Sequence, residues 1–187
     1  MRSLIRAAPV CAAALSTLLA SGRASAEPSR FELEPKVGYA APFTTGLSPY
    51  GAFVGLGVRA RAVAHLWLST SLFSFAGASA AADGDGVAYR AHDRSYGLAF
   101  DATWRFDVGP CFLEPGAEVG AAWVLGSTYV TPAQISDRYV AGNVGPVLRA
   151  AVRVGRLALG VEVAALYVPS SVAAPVARAG AIAVLPF

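Results

Sequence analysis

The chain has 187 residues, of which 55% are hydrophobic and 14% are charged, and its mean hydropathy is +0.51. Disordered segments combine low hydrophobicity with high net charge, so this composition excludes a disordered chain. The length suits one domain with a sizeable interior. The formal net charge of +3 and the sequence pI near 9.1 describe a mildly basic protein.

The N-terminal segment has the three-part layout of a secretory signal peptide. Two arginines precede an uncharged stretch over residues 7–20, and Ala24-Ser25-Ala26 forms a small-residue cleavage site. The alternative, an N-terminal helix of the folded domain, is disfavoured because Pro9 would interrupt it. We therefore predict a signal peptide over residues 1–26 and a mature domain over residues 27–187.

The basic excess belongs to this leader. Cleavage after Ala26 removes three arginines and no acid, which leaves 12 basic and 12 acidic residues. A neutral chain lacks the clustered basic face that nucleic-acid binding needs, so no nucleic-acid partner is expected. The mature chain keeps one cysteine, Cys111, and therefore forms no internal disulfide.

Alternation of apolar and polar residues predicts eight strands of about 9–11 residues each. In the clearest example, from Tyr96 to Phe106, the even positions are all apolar and the odd positions are small or polar. A helix is rejected because charges two residues apart, such as Glu32 and Glu34, share a face only on a strand. The predicted strands cover residues 31–39, 52–61, 66–75, 96–106, 113–123, 144–154, 157–167 and 176–187.

The connections between these strands alternate in length. Short turns follow strands two, four and six, whereas longer loops follow the others, notably over residues 77–94 and 125–138. An even strand number with short turns at one end and long loops at the other predicts an outer-membrane barrel with both termini in the periplasm. A soluble periplasmic β-sandwich is the main alternative, because it also has short alternating strands.

Aromatic residues on the apolar face favour the barrel, because they form two groups with aliphatic residues between them. One group lies at the loop ends of the strands and the other at the turn ends, as in the interfacial aromatic belts of membrane barrels. The loop-end group is Tyr39, Tyr96, Trp123 and Tyr167, and the turn-end group is Phe31, Trp104, Phe106 and Phe187.

The opposite face carries charged side chains, and we predict that these line the barrel interior. Eight strands enclose a space that side chains just fill, so buried charges there must pair. A two-residue hairpin at Gly155-Arg156 sets Arg149 opposite Glu162 and predicts a salt bridge between them. The pattern does not determine which way strand three or strand eight faces. The predicted lumen charges are Glu32, Glu34, Lys36, Arg59, Arg61, Asp101, Arg105, Glu114, Glu118, Arg149, Arg153, Glu162 and Arg178.

Motifs for catalysis or metal binding are sparse. A glycine fingerprint at Gly55-x-Gly57 lies within a strand with no helix after it, so it does not indicate a dinucleotide site. The acidic sequence Asp83-Gly84-Asp85-Gly86 suits a surface loop better than a calcium loop. The two histidines, His65 and His92, lie at opposite ends of the predicted barrel. We therefore predict no catalytic residue, no metal site and no cofactor.

The cleaved leader, the eight alternating strands and the final Val184-Leu185-Pro186-Phe187 together resemble the small outer-membrane β-barrels of the OmpA and OmpX type. The resemblance implies an all-β, antiparallel, up-and-down transmembrane barrel in the cell outer membrane, in contact with lipid. It also implies that the barrel-assembly machinery recognises the C-terminal strand, with Phe187 as the assembly signal.

The expected protein is a non-enzymatic, monomeric outer-membrane barrel with a closed, salt-bridged lumen. It would act in envelope integrity or in surface binding through the loops at 77–94 and 125–138. A narrow channel for small solutes and a membrane-embedded lipid-modifying enzyme are the alternatives within the barrel fold.

Overall fold

A computed structural model describes residues 30–43, 50–84, 87–130, 133–169 and 175–187. The predicted signal peptide lies outside these described residues. Within the described ranges, no helix has the length and apolar character needed to cross a membrane.

The described residues form nine strand segments, and β5 continues β4 after a break at Arg105. Both segments pair with β6 in one register, so together they form one barrel strand. The barrel thus has the eight strands that the alternation predicts. The segments are β1 (Phe31–Pro42), β2 (Gly51–Arg61), β3 (Leu66–Gly84), β4 (Val87–Trp104), β5 (Phe106–Val108), β6 (Cys111–Val130), β7 (Ala133–Val154), β8 (Leu157–Tyr167) and β9 (Pro175–Pro186).

The sheet is closed, because every strand pairs antiparallel with its neighbours in the chain and β1 also pairs with β9. Closure leaves no edge strand within the barrel wall and distinguishes the fold from two packed sheets. The protein is a closed, eight-stranded, antiparallel up-and-down β-barrel, and the sandwich alternative is wrong.

The outer surface of the barrel is apolar and the interior is polar. On β6, for example, Val119 is 56% exposed and Trp123 is 60% exposed, whereas Glu114 on the inner face of the same strand is fully buried. Each strand is bounded by two different environments, which is the physical origin of the alternating pattern. We call the end with the short turns the turn end and the opposite end the loop end.

The structure determines how β3 faces, which the pattern alone left open. Trp67, Phe73 and Phe75 lie inside the barrel, whereas Leu68 and Leu72 lie on the outer wall. This orientation follows from the β2–β3 register, in which the four-residue turn at 62–65 sets Arg61 opposite Trp67. On β9, the residues facing inward are Val176, Arg178, Ile182 and Val184.

The prediction of long loops at 77–94 and 125–138 is wrong. The β3–β4 ladder continues to the pair Gly84 and Val87, and the β6–β7 ladder continues to Val130 and Ala133. The extended parts of neighbouring strands pair with each other, so their backbone hydrogen-bonding groups are satisfied. They have no apolar face, and the alternation pattern therefore does not identify them as strands. The acidic sequence at 83–86 falls at this tip, with residues 85–86 outside the described part.

Four strands consequently extend past the rest of the barrel at the loop end. β3, β4, β6 and β7 form a sheet, which we call the projecting sheet, beyond the points where β2 and β8 end. Beyond Trp123, β6 continues for seven residues to Val130, which is about 18 Å along the barrel axis at a tilt of about 40°.

Candidate functional site

Among the side chains that the structure describes, eleven charged ones fill the barrel interior and form one connected set, which we call the ion-pair network. None is more than 6% exposed, and each has an oppositely charged partner within 4 Å. Six are carboxylates and five are cations, so the described network carries one more negative than positive charge. Its members are Glu32, Glu34, Asp101, Glu114, Glu118, Glu162, Lys36, Arg59, Arg105, Arg149 and Arg178.

In the part of the network near the turn end, the ion pairs converge on Arg59 and Glu114. Arg59 donates from Nη1 and Nη2 to the two oxygens of Glu114 at 2.8 and 2.7 Å, and Nη1 also donates to Glu34 at 2.6 Å. Arg105 donates to both oxygens of Glu32, at 3.0 and 2.8 Å, and to Glu114. The planar guanidinium makes two parallel bonds to one carboxylate, which strongly restricts the geometry of the pair.

In the middle of the barrel, Arg149 binds two carboxylates from two different strands. Its Nη1 and Nη2 donate to the oxygens of Asp101 at 2.8 and 2.7 Å, and its Nε donates to Glu162 at 2.7 Å. Arg149 and Glu162 are direct cross-strand partners, as the hairpin at Gly155-Arg156 predicts. The predicted salt bridge is therefore present.

Glu162 also joins the middle of the network to its loop-side part. Its two oxygens accept from Lys36 at 2.8 Å and from Arg178 at 2.8 Å, in addition to Arg149. Arg178 in turn donates to both oxygens of Glu118. One carboxylate thus bridges three cations from three strands. Removing any of these four side chains leaves an oppositely charged partner with fewer ion pairs.

Aromatic rings pack against the flat faces of the guanidinium groups, whose edges donate hydrogen bonds to the carboxylates. Trp67 lies 4.6 Å from the guanidinium carbon of Arg59 and 4.2 Å from that of Arg105. Phe112 lies 4.2 Å from the guanidinium carbon of Arg105 on the turn-end side. Cation–π contacts of this kind are strongest where water is excluded.

A second, aromatic layer closes the interior on the loop side of the network. Phe73 lies 4.5 Å from the Arg178 guanidinium carbon and packs edge-on against Phe53. Tyr50 packs edge-on against Phe75, and burial raises the pKa of the Tyr50 phenol above its usual value. The small space left among these rings opens partly to solvent.

Glycines provide the room for these rings, as at Gly55. A Cβ atom at this position would lie 2.7 Å from the ring of Phe73. The glycine fingerprint at Gly55-x-Gly57 is therefore explained by lumen packing, because Gly55 faces a buried ring across the β2–β3 pair.

Two of the predicted lumen charges, Arg61 and Arg153, lie at the mouth of the barrel and not within the network. Both are only half-buried, and Arg153 pairs with Asp107 at the turn end, where both side chains are over a third exposed. Arg61 is the last residue of β2 and Arg153 is next to the last residue of β7, so both side chains reach water. The other eleven predicted charges are the members of the network.

The sequence pattern does not reveal the roles of Trp67, Phe112 and Ser69. Ser69 donates a hydrogen bond to Asp101, and the two rings cover the guanidinium groups. A signal was available in the register, since Ser69 lies directly opposite both Arg59 and Asp101 in the ladder. Predicting this register requires the length of the turn at 62–65, which the alternation pattern does not define.

The two histidines lie at opposite ends of the barrel, as their positions in the sequence predict. His65 lies in a turn at the turn end, with its ring 5.8 Å from that of Trp104. The backbone of His92, in the projecting sheet, is paired with Ser79 on one side and Ser127 on the other. Among the residues described, no cluster of three or more His, Cys, Asp or Glu side chains could hold a metal ion.

The comparisons with known proteins concern fold. No protein-family profile matches the chain, and no curated protein matches it in sequence. The structure is similar to that of Neisserial surface protein A, with a TM-score of 0.61 and 11% identity over 87% of this chain and 100% of that one.

Two further solved structures show the same likeness. Ail, the attachment invasion locus protein of Yersinia pestis, solved in complex with the heparin analogue sucrose octasulfate, has a TM-score of 0.56 and 8% identity over 83% of this chain and 96% of that one. A major outer membrane protein from Thermus thermophilus has a TM-score of 0.54 and 13% identity, over 83% of this chain and 99% of that one. The chain therefore has the fold of the small eight-stranded outer-membrane barrels.

Proposed function

We propose that the protein is an integral outer-membrane barrel of the OmpA and OmpX type with a closed lumen. It acts without enzymatic chemistry, in envelope integrity or in surface binding through the projecting sheet. The observation that carries the proposal is the polarity of the barrel, which is apolar on its outer wall and ion-paired inside.

The outer wall has the dimensions of a membrane-spanning belt. From Leu113 to Trp123 on β6, the outward positions cover about 33 Å along the strand, or about 25 Å along the axis at a tilt of about 40°. The loop-end aromatic group, including Tyr96 and Trp123, is at least half exposed on the wall. Soluble proteins do not expose a continuous apolar surface of this size, so lipid is the solvent that fits it.

The interior argues against the channel alternative. The ion-pair network crosses the lumen, and Trp67, Phe112, Phe73 and Phe75 fill the space on either side of it. An aqueous path would require charged side chains to separate from their partners within the barrel, which is costly.

The proposed orientation has both termini in the periplasm and the projecting sheet at the cell surface. The short turns lie at the end that carries Phe31 and Phe187, whose rings stack at 6.1 Å. Phe187 is 69% exposed on the wall, where the barrel-assembly machinery can contact it during insertion. The signal peptide over residues 1–26 completes this export route.

Membrane fractionation combined with gel electrophoresis tests the proposal. We expect the protein in the outer-membrane fraction, with a folded band that migrates differently from the boiled band in detergent. Conductance in planar bilayers should stay at the level of protein-free membranes. Recovery as a soluble periplasmic protein with one mobility would refute the membrane location, and discrete conductance steps would favour the channel.

A second candidate function, a membrane-embedded lipid hydrolase, has one observation in its favour. The register places His92 between Ser79 and Ser127 on the projecting sheet, just past the aromatic group. Serine and histidine in one row of a sheet are the residue types that nucleophilic catalysis uses, and the row two residues nearer the turn end holds Arg94 and Arg138. Hydrolysis of lipid esters that disappears in H92A and S127A, but not in S136A, would establish this activity.

A further inference from the structure

One of the charges predicted to line the lumen has no ionic partner. Twelve of the thirteen lie within 4 Å of an oppositely charged side chain. The exception is Arg61, whose side chain forms no ion pair with any residue that the structure describes. It lies half-buried on the inner face at the turn end of β2. Every other arginine of the set binds a carboxylate, so Arg61 lacks the partner that this lumen gives its guanidinium groups.

A second arginine, Arg30, lies directly opposite Arg61. The Arg61 amide donates a hydrogen bond to the Arg30 carbonyl oxygen at 2.9 Å, which continues the register that pairs Phe31 with Ala60. The Cα atoms of such a pair are about 5.5 Å apart, and directly opposed residues share a face. Arg30 is exposed and likewise forms no ion pair within the described part of the chain. Like charges in this position repel each other, and an anion between them would remove the repulsion.

Two acids lie near the turn ends of their strands, and both are already paired. Glu32 accepts hydrogen bonds from the two terminal nitrogens of Arg105, at 3.0 and 2.8 Å, one to each carboxylate oxygen. Asp107 forms an ion pair with Arg153. The positive charge of the opposed arginines is therefore not neutralised by the described acids at this end of the barrel.

The opposed arginines face the inside of the barrel mouth. Side chains alternate along a strand, so Phe31, which follows Arg30 and is 47% exposed, takes the outer wall while Arg30 takes the inner face. An eight-stranded barrel is just wide enough for its own side chains, so its mouth admits a slender ligand and no folded protein surface. In a bilayer, lipid headgroups would lie outside the wall, on the side of Phe31.

We propose that Arg30 and Arg61 together bind a carboxylate at the turn-end mouth of the barrel. Guanidinium groups bind carboxylates through parallel, charge-assisted hydrogen bonds, as Arg149 binds Asp101 inside this lumen. Small carboxylate ions and the free C-terminal end of a peptide share this chemistry. The proposed orientation puts this mouth in the periplasm, and only the compartment of the ligand rests on that proposed function.

Nuclear magnetic resonance of the arginine side-chain Nε–H groups tests the site in the folded barrel in neutral detergent micelles. Single variants R30Q and R61Q assign the two signals, which acetyl-trialanine with a free carboxylate should shift. We expect the free acid to bind about 10-fold more tightly than its C-terminal amide, the order that two ion pairs next to water provide. R30Q/R61Q should lose this preference. The control R138Q/R156Q, which removes two other exposed arginines and the same charge, should keep it.

A titration with acetate separates the two sources of the carboxylate. Binding as tight as that of the peptide acid would assign the site to small ions, whereas weaker binding would assign it to a peptide end, and both results support the site.

Four outcomes would overturn the proposal. The acid and the amide could bind wild type equally, or R30Q/R61Q could keep the preference for the acid. Displacement of the peptide by phosphatidylglycerol in the micelles would make the occupant a lipid headgroup. A shift of the Arg61 signal in E27Q without ligand would make it the chain's own Glu27, which lies outside the described residues. Heat-modifiable mobility of the same samples separates these results from failure of the proposed function, since a chain without a folded band is no membrane barrel.

Discussion

At the scale of single residues, Arg149 shows how the register of one hairpin arranges charge inside the barrel. The two-residue turn at Gly155-Arg156 sets Arg149 opposite Glu162, and the inward facing of both follows from the apolar residues beside them. The other partner of Arg149, Asp101, comes from β4 across the lumen, and its contact depends on closure of the barrel. Sequence could therefore predict the first contact and not the second.

Replacing Arg149 with methionine should destabilise the folded barrel strongly. The substitution leaves Asp101 and Glu162 without their shared cation, and breaking a buried pair in this way costs about 3–5 kcal/mol. Equilibrium unfolding in urea, in lipid vesicles, measures the loss. R149M/D101N should recover part of it, because Asp101, which is ion-paired to Arg149, loses its charge together with the cation.

The control for this experiment is Arg156→Met, since Arg156 is exposed in the turn at the barrel mouth. Its unfolding free energy should lie within about 0.5 kcal/mol of wild type. Equal losses for R149M and R156M would contradict the placement of Arg149 in a buried network.

A larger residue at Gly55 should also destabilise the barrel, through packing and not through charge. A Cβ at Gly55 falls 2.7 Å from the Phe73 ring and 3.1 Å from the Leu72 carbonyl oxygen, so Gly55→Val forces the ring and strand to shift. Overpacking of this kind costs about 1–3 kcal/mol. The matched control is Gly142→Val, because the nearest atom to a Cβ at Gly142 is 3.9 Å away. A loss for G142V as large as that for G55V would refute the explanation from lumen packing.

At the scale of elements, the strands within the belt could be predicted and the projecting sheet could not. Along β8, Val161 and Val163 face outward while Glu162 faces the network, so the two environments impose a period of two on the sequence. Residues 78–86 are small or polar at every position, because no such contrast acts on them, and the pattern there suggests a loop. β3 is intermediate, since Trp67 inside and Leu68 outside are both large and apolar, and only the turn length distinguishes the faces.

Because the projecting sheet lies beyond the belt, the barrel should fold without it. Replacing residues 79–92 by an Asn-Gly turn removes the β3–β4 extension but keeps the ladder from Leu66 and Trp104 to Ala76 and Arg94. We expect unchanged heat-modifiable mobility and loss of any surface binding that the intact protein shows. An equivalent replacement of residues 127–136 serves as the comparison for β6–β7. Failure of both variants to form a folded band would show that the extensions are needed for folding.

At the scale of the whole molecule, the protein reverses the polarity of a soluble domain. The apolar residues that would form a core are on the outside, while the interior is stabilised by ion pairs and by rings stacked on guanidinium groups. A soluble protein excludes water from its apolar core, whereas in the proposed membrane location lipid covers the apolar wall. The near balance of acids and bases in the predicted mature chain has the same origin, since a lumen of this width accommodates little uncompensated charge.

A charge placed on the outer wall tests this reversal directly. Val119, 56% exposed near the middle of the belt on β6, faces hydrocarbon if the barrel spans a membrane. Val119→Arg should then lower the unfolding free energy in lipid vesicles by about 2–4 kcal/mol, because arginine at the bilayer midplane carries that penalty. Val63, 58% exposed in the turn at 62–65, is the matched control, and Val63→Arg should cost about 0–1 kcal/mol near the interface. On a water-exposed surface both substitutions would stay within about 0.5 kcal/mol of wild type, and that result would contradict lipid contact along the wall.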